Sequence, residues 1–395
     1  MTKSKIAGKG WQSRGTRGIP PSLWGEGQDE GGFGDTLTLA LSLKGEGTHI
    51  QDARGLLRSA RHVPARSGLE RKQRRRFLAP ILFPNAWLIF LALFLGLPGQ
   101  APAAEGLKCS PSLQVGRFRA PEIKECSGLA VSRKNPGLLW VHNDSGDTAR
   151  LFAVKEDGSL RGIYHLAHAD AVDWEDMAIG PCADTRKDCL YVGDIGDNRR
   201  QRPQVQVYRV EEPPVPLEGP QVEATLLETE RFDCRYPDGP HNAETLFVDR
   251  AAGTPYLVTK EPAGEAATVY RFPGKPDPGK VVVLEKVSVL PSRPSLTGGD
   301  ITDDGSLIVL RDYFAAYAYP RPEGSQLSEA FRSPPWRVPL GTEAQGEALG
   351  IAPSGTVIYT TSEGLGAPIH RTVCIPVRTQ GTATGSSAGM GEGIE

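Results

Sequence analysis

Carboxylates recur along this chain beside short apolar runs, at positions that could gather them around one point. Ser127-Gly-Leu-Ala, Glu175-Asp-Met-Ala, Glu244-Thr-Leu-Phe, Asp300-Ile-Thr-Asp and Glu347-Ala-Leu-Gly each precede a turn and a second apolar run. Those second runs end on Asp144, Asp194, Glu261, Asp312 and Glu363. Brought together, such acids raise one another's pKa and destabilise the fold unless something neutralises them. A hard cation such as Ca2+, which takes oxygen ligands from carboxylates and carbonyls, is one way out. Local bases are another, and Lys260, Arg311, His142 and Arg199 stand beside the acids in sequence. The plain alternative is that the acids accept backbone N–H groups of neighbouring elements and have no chemical duty.

Two loops repeat a D-x-G-D pattern, Asp144-Ser-Gly-Asp147 and Asp194-Ile-Gly-Asp197, the second followed by Asn198. Asp and Asn cap their own backbone and Gly permits unusual dihedrals, so one copy reads as an ordinary turn. Two copies favour oxygen ligands for a cation, which makes Asp144, Asp194 and Asp197 candidate metal ligands and Asn198 a ligand contact. His241, just before Asn242-Ala-Glu244, could act as acid or base, although a loop histidine commonly only hydrogen-bonds. Trp174 reads as a core aromatic. No nucleophile elbow, phosphate-binding P-loop or dinucleotide fingerprint occurs.

The elements that must position these residues are short strands. The five repeat starts are separated by 48, 69, 56 and 47 residues. Periods of this size without a helical pattern indicate an all-β fold, a β-propeller with one blade per repeat. Five blades are expected, and the 69-residue interval leaves a sixth open. In the second repeat the strands fall at 175–179, 190–192, 205–210 and 222–232, and in the third at 244–248, 256–259, 268–272 and 280–290. The fifth repeat lacks a fourth strand, which Leu113–Phe118 supplies as a velcro strand that removes an open sheet edge. The start of the first strand and the end of the second then lie on one face near the axis.

Residues 1–70 read as a disordered or untranslated extension, being rich in Gly, Ser and Arg without a sustained apolar period. Residues 71–104 combine a basic run, an apolar stretch and Ala101-Pro-Ala-Ala104, the parts of a secretory signal. Its distance from Met1 suggests a true start nearer Val63 or Leu69, or a signal anchor. The propeller is placed at 105–378 and a flexible tail at 379–395. All six cysteines follow the signal; Cys182 and Cys189 flank a polar hairpin loop and form a plausible disulfide, while the other four allow three pairings. Residues 105–395 carry 30 basic and 40 acidic residues. That balance argues against nucleic acid and for cations. A secreted or periplasmic monomer follows, touching a membrane only if the signal is retained.

Asp173-Trp-Glu-Asp176, Gly193-Asp-Ile-Gly-Asp-Asn198, Tyr236-Pro-Asp-Gly239 with Asn242-Ala-Glu244, and Gln345-Gly-Glu-Ala348 occur in that order. As a set they resemble exported bacterial β-propeller proteins described as WD40-like or phytase-like. The resemblance implies Ca2+ held by Glu175, Asp194, Glu244 and Glu347, and phosphate held by Lys260 and Arg311. The expected function is binding of Ca2+ and a small or glycan-like ligand at an acidic mouth. The alternatives are a calcium-dependent phosphoesterase and a protein-interaction scaffold.

Overall fold

The computed structural model describes residues 106–377 apart from 292 and 294. The extension, the signal and the 379–395 tail lie outside the described residues. Among the described residues, no helix is long and apolar enough to cross a membrane.

Runs rich in β-branched and aromatic residues form strands that turn at Gly, Asp and Ser. After β1 (Gly106–Cys109) and β2 (Leu113–Arg117), blade one is β3 (Cys126–Val131), β4 (Leu138–Asn143), β5 (Arg150–Lys155) and β6 (Leu160–Leu166). Blade two begins with β7 (Trp174–Pro181), β8 (Asp188–Asp194) and β9 (Val205–Glu211). Next, β10 (Val222–Leu226) pairs in parallel with β6, and β11 (Glu230–Arg235) completes blade two. Blade three holds β12 (Ala243–Asp249), β13 (Thr254–Thr259) and β14 (Ala267–Arg271). Its connector β15 (Val282–Val283) pairs in parallel with β11 before β16 (Glu285–Leu290) closes the blade. Blade four is β17 (Leu296–Ile301), β18 (Leu307–Asp312), β19 (Ala316–Pro320) and β20 (Trp336–Val338). Blade five is β21 (Gly346–Ile351), β22 (Val357–Ser362) and β23 (Pro368–Val377).

Five sheets thus form the five-bladed propeller, and the long interval holds extra edge strands rather than a sixth blade. The single strands expected at 222–232 and 280–290 each divide in two, because their first halves satisfy the outer edge of the preceding blade. The inner hairpins of blades four and five turn at Gly305 and Gly355, whose φ of 69° and 70° a side chain would resist.

The velcro strand is present, in two pieces. Both β2 and β1 pair antiparallel with the long β23, along successive stretches of it. Where β1 ends, Cys109 lies opposite Cys374 and is disulfide-bonded to it. Cys182–Cys189 is the second disulfide, while Cys126 and Cys234 are free and buried. Such bridges suit an extracytoplasmic compartment.

The core is divided among the gaps between blades. Leu139, Val141 and Phe152 of blade one meet Ala348, Tyr359 and Ile369 of blade five, and the other four neighbouring pairs pack likewise. Two buried acids tie blades near the axis. Asp176 accepts N–H bonds from Met177, Leu246 and Gly299, reaching blades three and four. Asp300 accepts from Ile301 and Ile351, joining blade four to five.

Candidate metal centre

Every innermost strand carries a one-residue register shift at its start, and this irregularity positions the site. Against its neighbour the register jumps between Cys126 and Gly128, Trp174 and Asp176, Ala243 and Thr245, Leu296 and Gly298, and Gly346 and Leu349. A bulge breaks the alternation of side chains and re-aims the extra residue. Ser127, Glu175, Glu244, Thr297 and Glu347 therefore occupy equivalent places. The fourth repeat is offset by three residues from the expected alignment, since Thr297 and not Asp300 matches the glutamates. Asp300 lies deeper and serves the backbone tie.

A second layer comes from the residue after each second strand: Asp144, Ile195, Lys260, Tyr313 and Glu363. The register partner one place earlier is Asn143, Asp194, Thr259, Asp312 or Ser362. That earlier residue caps the adjoining backbone. Asn143 accepts from Lys124 and Glu125 N–H, Asp194 from Val172 and Asp173, and Ser362 from Gln345.

Asp144, Asp173 and Glu175 each present a carboxylate oxygen, and these oxygens lie within 4.8 Å of one another. Glu244 and Glu347 adjoin them. Burial first, then Glu244, Asp144, Asp173 and Glu347, push the Glu175 carboxyl well above its ordinary range. Burial, with Asp173, Glu347 and Glu125 adding to it, raises Asp144 to about 6. Burial raises Asp173, with Asp194 and Asp197 adding to it against the pull of Arg202 and Lys260. Glu363 reaches about 8 through burial, the charge of Glu347 and a hydrogen bond between the two side chains. In short, acids from blades one, two, three and five meet at one mouth, where burial and mutual repulsion raise their carboxyls.

One sector is neutralised internally. Lys260 Nζ donates to Glu244 Oε2 at 2.5 Å and to the Tyr313 hydroxyl at 2.6 Å, and it lies 4.8 Å from the Tyr313 ring centre. Burial opposes the Lys260 charge, yet Glu244 carries its pKa above the lysine range. Glu244 itself sits at about 7, raised by burial and held down by Lys260. Asn242 steadies its other oxygen at 3.2 Å. The Asp144–Asp173–Glu175 sector has no such base against it among the described ion pairs. Beside it, in the bulge of blade one, the Ser127 hydroxyl is buried with no hydrogen-bond partner among the described residues.

This donor set fits a hard cation. It is all oxygen, and three carboxylates leave several of the roughly six to eight positions of Ca2+ for other oxygens.

The remaining expected residues are not members of that trio. Asp194 is fully buried, spent on its two N–H bonds and on Arg202 at 2.8 Å. Asp197 accepts from Arg202 N–H at 2.6 Å, and its own N–H goes to Asn242. Asn198 is exposed and accepts from Asn242. Arg311 is fully buried, donates to the carbonyls of Ala348 and Thr361, and pairs with Glu343 at 2.7 Å. His241 stands in a separate group with Asp238, Tyr270 and Tyr236. Trp174 is buried, with its ring edge-on to His142.

Asp173 and Tyr313 are the mouth residues that sequence reasoning missed. Asp173 precedes its strand, and its signal was the acidic Asp-Trp-Glu-Asp run. Tyr313 could have been found by aligning the residue that follows each second strand.

The chain matches no known protein-family model, and no curated protein matches it. Fold and site define the class by themselves: a five-bladed β-propeller with a carboxylate-lined mouth.

Proposed function

We propose that this protein is an exported propeller that binds a divalent cation, Ca2+ in the first instance, at Asp144, Asp173 and Glu175, and through it a small or glycan-like ligand. The single observation behind this reading is the convergence of three carboxylates within 4.8 Å. A cation bound there would supply the missing positive charge and open coordination positions. Glu347 would deepen the negative field that draws it in. Calorimetric titration with Ca2+ tests the proposal. Binding is expected, with a melting temperature higher by roughly 5 °C at a hundredfold excess over Kd. No heat of binding together with no thermal shift would end the idea.

A calcium-dependent, phytase-like phosphoesterase is the second reading. The observation that favours it is Lys260, an ammonium at the same mouth that could meet an anionic ester. Glu244 and Tyr313 already engage that ammonium. Release of nitrophenol from p-nitrophenyl phosphate, abolished by chelator, would favour it over binding alone.

A further inference from the structure

The loops that follow the second strands differ in character around the mouth. In blade one the loop is Asp144-Ser-Gly-Asp147, and in blade three it runs through Glu261 and Glu265. Blade four instead places Phe314 outward at 84 % exposure, and blade five places Leu365 at 73 %. A phenyl ring this exposed leaves a flat apolar face free to meet a ligand.

Phe314 is also held in place. Asp312 accepts the N–H groups of Phe314 at 2.8 Å and Ala315 at 2.7 Å with one oxygen, and the Tyr317 hydroxyl at 3.0 Å with the other. The Asp312 N–H closes the turn on Ala315 carbonyl at 2.9 Å. Next door, Tyr313 is fixed at the mouth by Lys260, and the two rings lie 6.2 Å apart, edge towards face. Phe314 thus stands on the loop beside Tyr313, at the same end of the propeller as the acidic site.

From this placement, and resting on the cation reading above, we propose that the mouth's ligand is a saccharide. Its vicinal hydroxyls would complete the coordination of the cation at Asp144, Asp173 and Glu175, and one ring face would stack on Phe314. The chemistry on the two sides matches. A hard cation with three protein carboxylates still needs neutral oxygen donors, which a diol supplies in pairs. The negative face of an aromatic ring attracts the weakly positive C–H groups on one side of a sugar. The exposed Gln345 amide, which donates to Glu347, offers a hydrogen bond of the kind a polyol uses. Phe314 is then a specificity-determining contact.

The test uses D-mannose, L-fucose, D-galactose and D-glucuronate, followed by saturation-transfer NMR with Ca2+ or EDTA, and calorimetry of Ca2+ alone. At least one sugar should bind only with Ca2+. Phe314→Ala should weaken that binding about tenfold, Phe314→Trp should retain it, and Ca2+ affinity without sugar should be equal in all three proteins. If Ca2+ binds but none of the four sugars does, the saccharide assignment falls and the cation reading stands; if Phe314→Ala binds sugar as well as the parent, the stacking role of Phe314 falls. If Ca2+ itself does not bind, both fall together.

Discussion

A methyl group on Gly196 would lie 2.2 Å from Oε1 of Glu175 and 2.4 Å from Oδ2 of Asp173. The glycine of the Asp194-Ile-Gly-Asp197 loop is therefore the floor against which two mouth carboxylates rest. Its flanking aspartates, which looked like ligands in the sequence, brace that floor instead. Gly196→Ala should leave the fold nearly intact, because only the flexible ends of side chains must move. Ca2+ affinity should drop by about tenfold or more, since a displaced carboxylate oxygen cannot keep its bond length. Parallel calorimetry and thermal melting of the parent and variant check both halves.

The pH dependence follows from carboxyls whose pKa is raised in the fold. Asp144 at about 6, Glu244 at about 7 and Glu363 at about 8 stay protonated in the native state where the unfolded chain has already ionised. Between about pH 4 and 8 the native state binds more protons, so cation-free stability falls as pH rises through that window. It is greatest below the unfolded carboxyl values. Ca2+ must displace those protons, so its affinity should rise from pH 5 to pH 8 with proton release on binding. Calorimetry in two buffers of different ionisation enthalpy measures that release. A pH-independent affinity would contradict it.

Asp176 marks the boundary between structural and functional acids. Next to Glu175 in sequence, it is fully buried and accepts three backbone N–H groups. Asp176→Ala strips all three of a partner, and at about 1–3 kcal/mol for each buried group it should destabilise by at least ~3 kcal/mol. Glu175→Gln should cost far less stability yet weaken Ca2+ binding. Urea unfolding of the two variants separates these roles, and equal losses of stability would refute the division.

The two disulfides should differ in worth. Cys109–Cys374 closes a separation of 265 residues and pins the velcro strand, whereas Cys182–Cys189 closes 7. Loop-closure entropy gives roughly 5 kcal/mol for the first and roughly 2 for the second. Calorimetric melting of Cys109→Ala/Cys374→Ala and Cys182→Ala/Cys189→Ala should rank them in that order.

The repeats were legible because each blade must bury both faces of its inner strands, which enforces apolar runs at regular intervals. Leu113–Phe118 was legible as the closing strand because a fifth blade without a fourth strand would leave an edge. What the runs do not encode is the bulge. Thr297, three residues before Asp300, holds the bulged place of Glu175, and Asp300 lies deeper, although Asp300 looks like the better match by residue type. Similarly, Asp194 and Asp144 carry the same loop pattern, but the register places Asp194 one residue earlier, where it caps backbone. The parallel strands β10 and β15 escaped notice because their partners lie in the preceding blade, far along the chain.

Anomalous diffraction from crystals grown with Ca2+, or with Tb3+ in its place, tests the central claim most directly. The expected result is a peak bonded to oxygens of Asp144, Asp173 and Glu175, at the roughly 2.3–2.6 Å typical of Ca2+ ligands. A fully occupied ion elsewhere on the propeller, with these three carboxylates unligated, would contradict it.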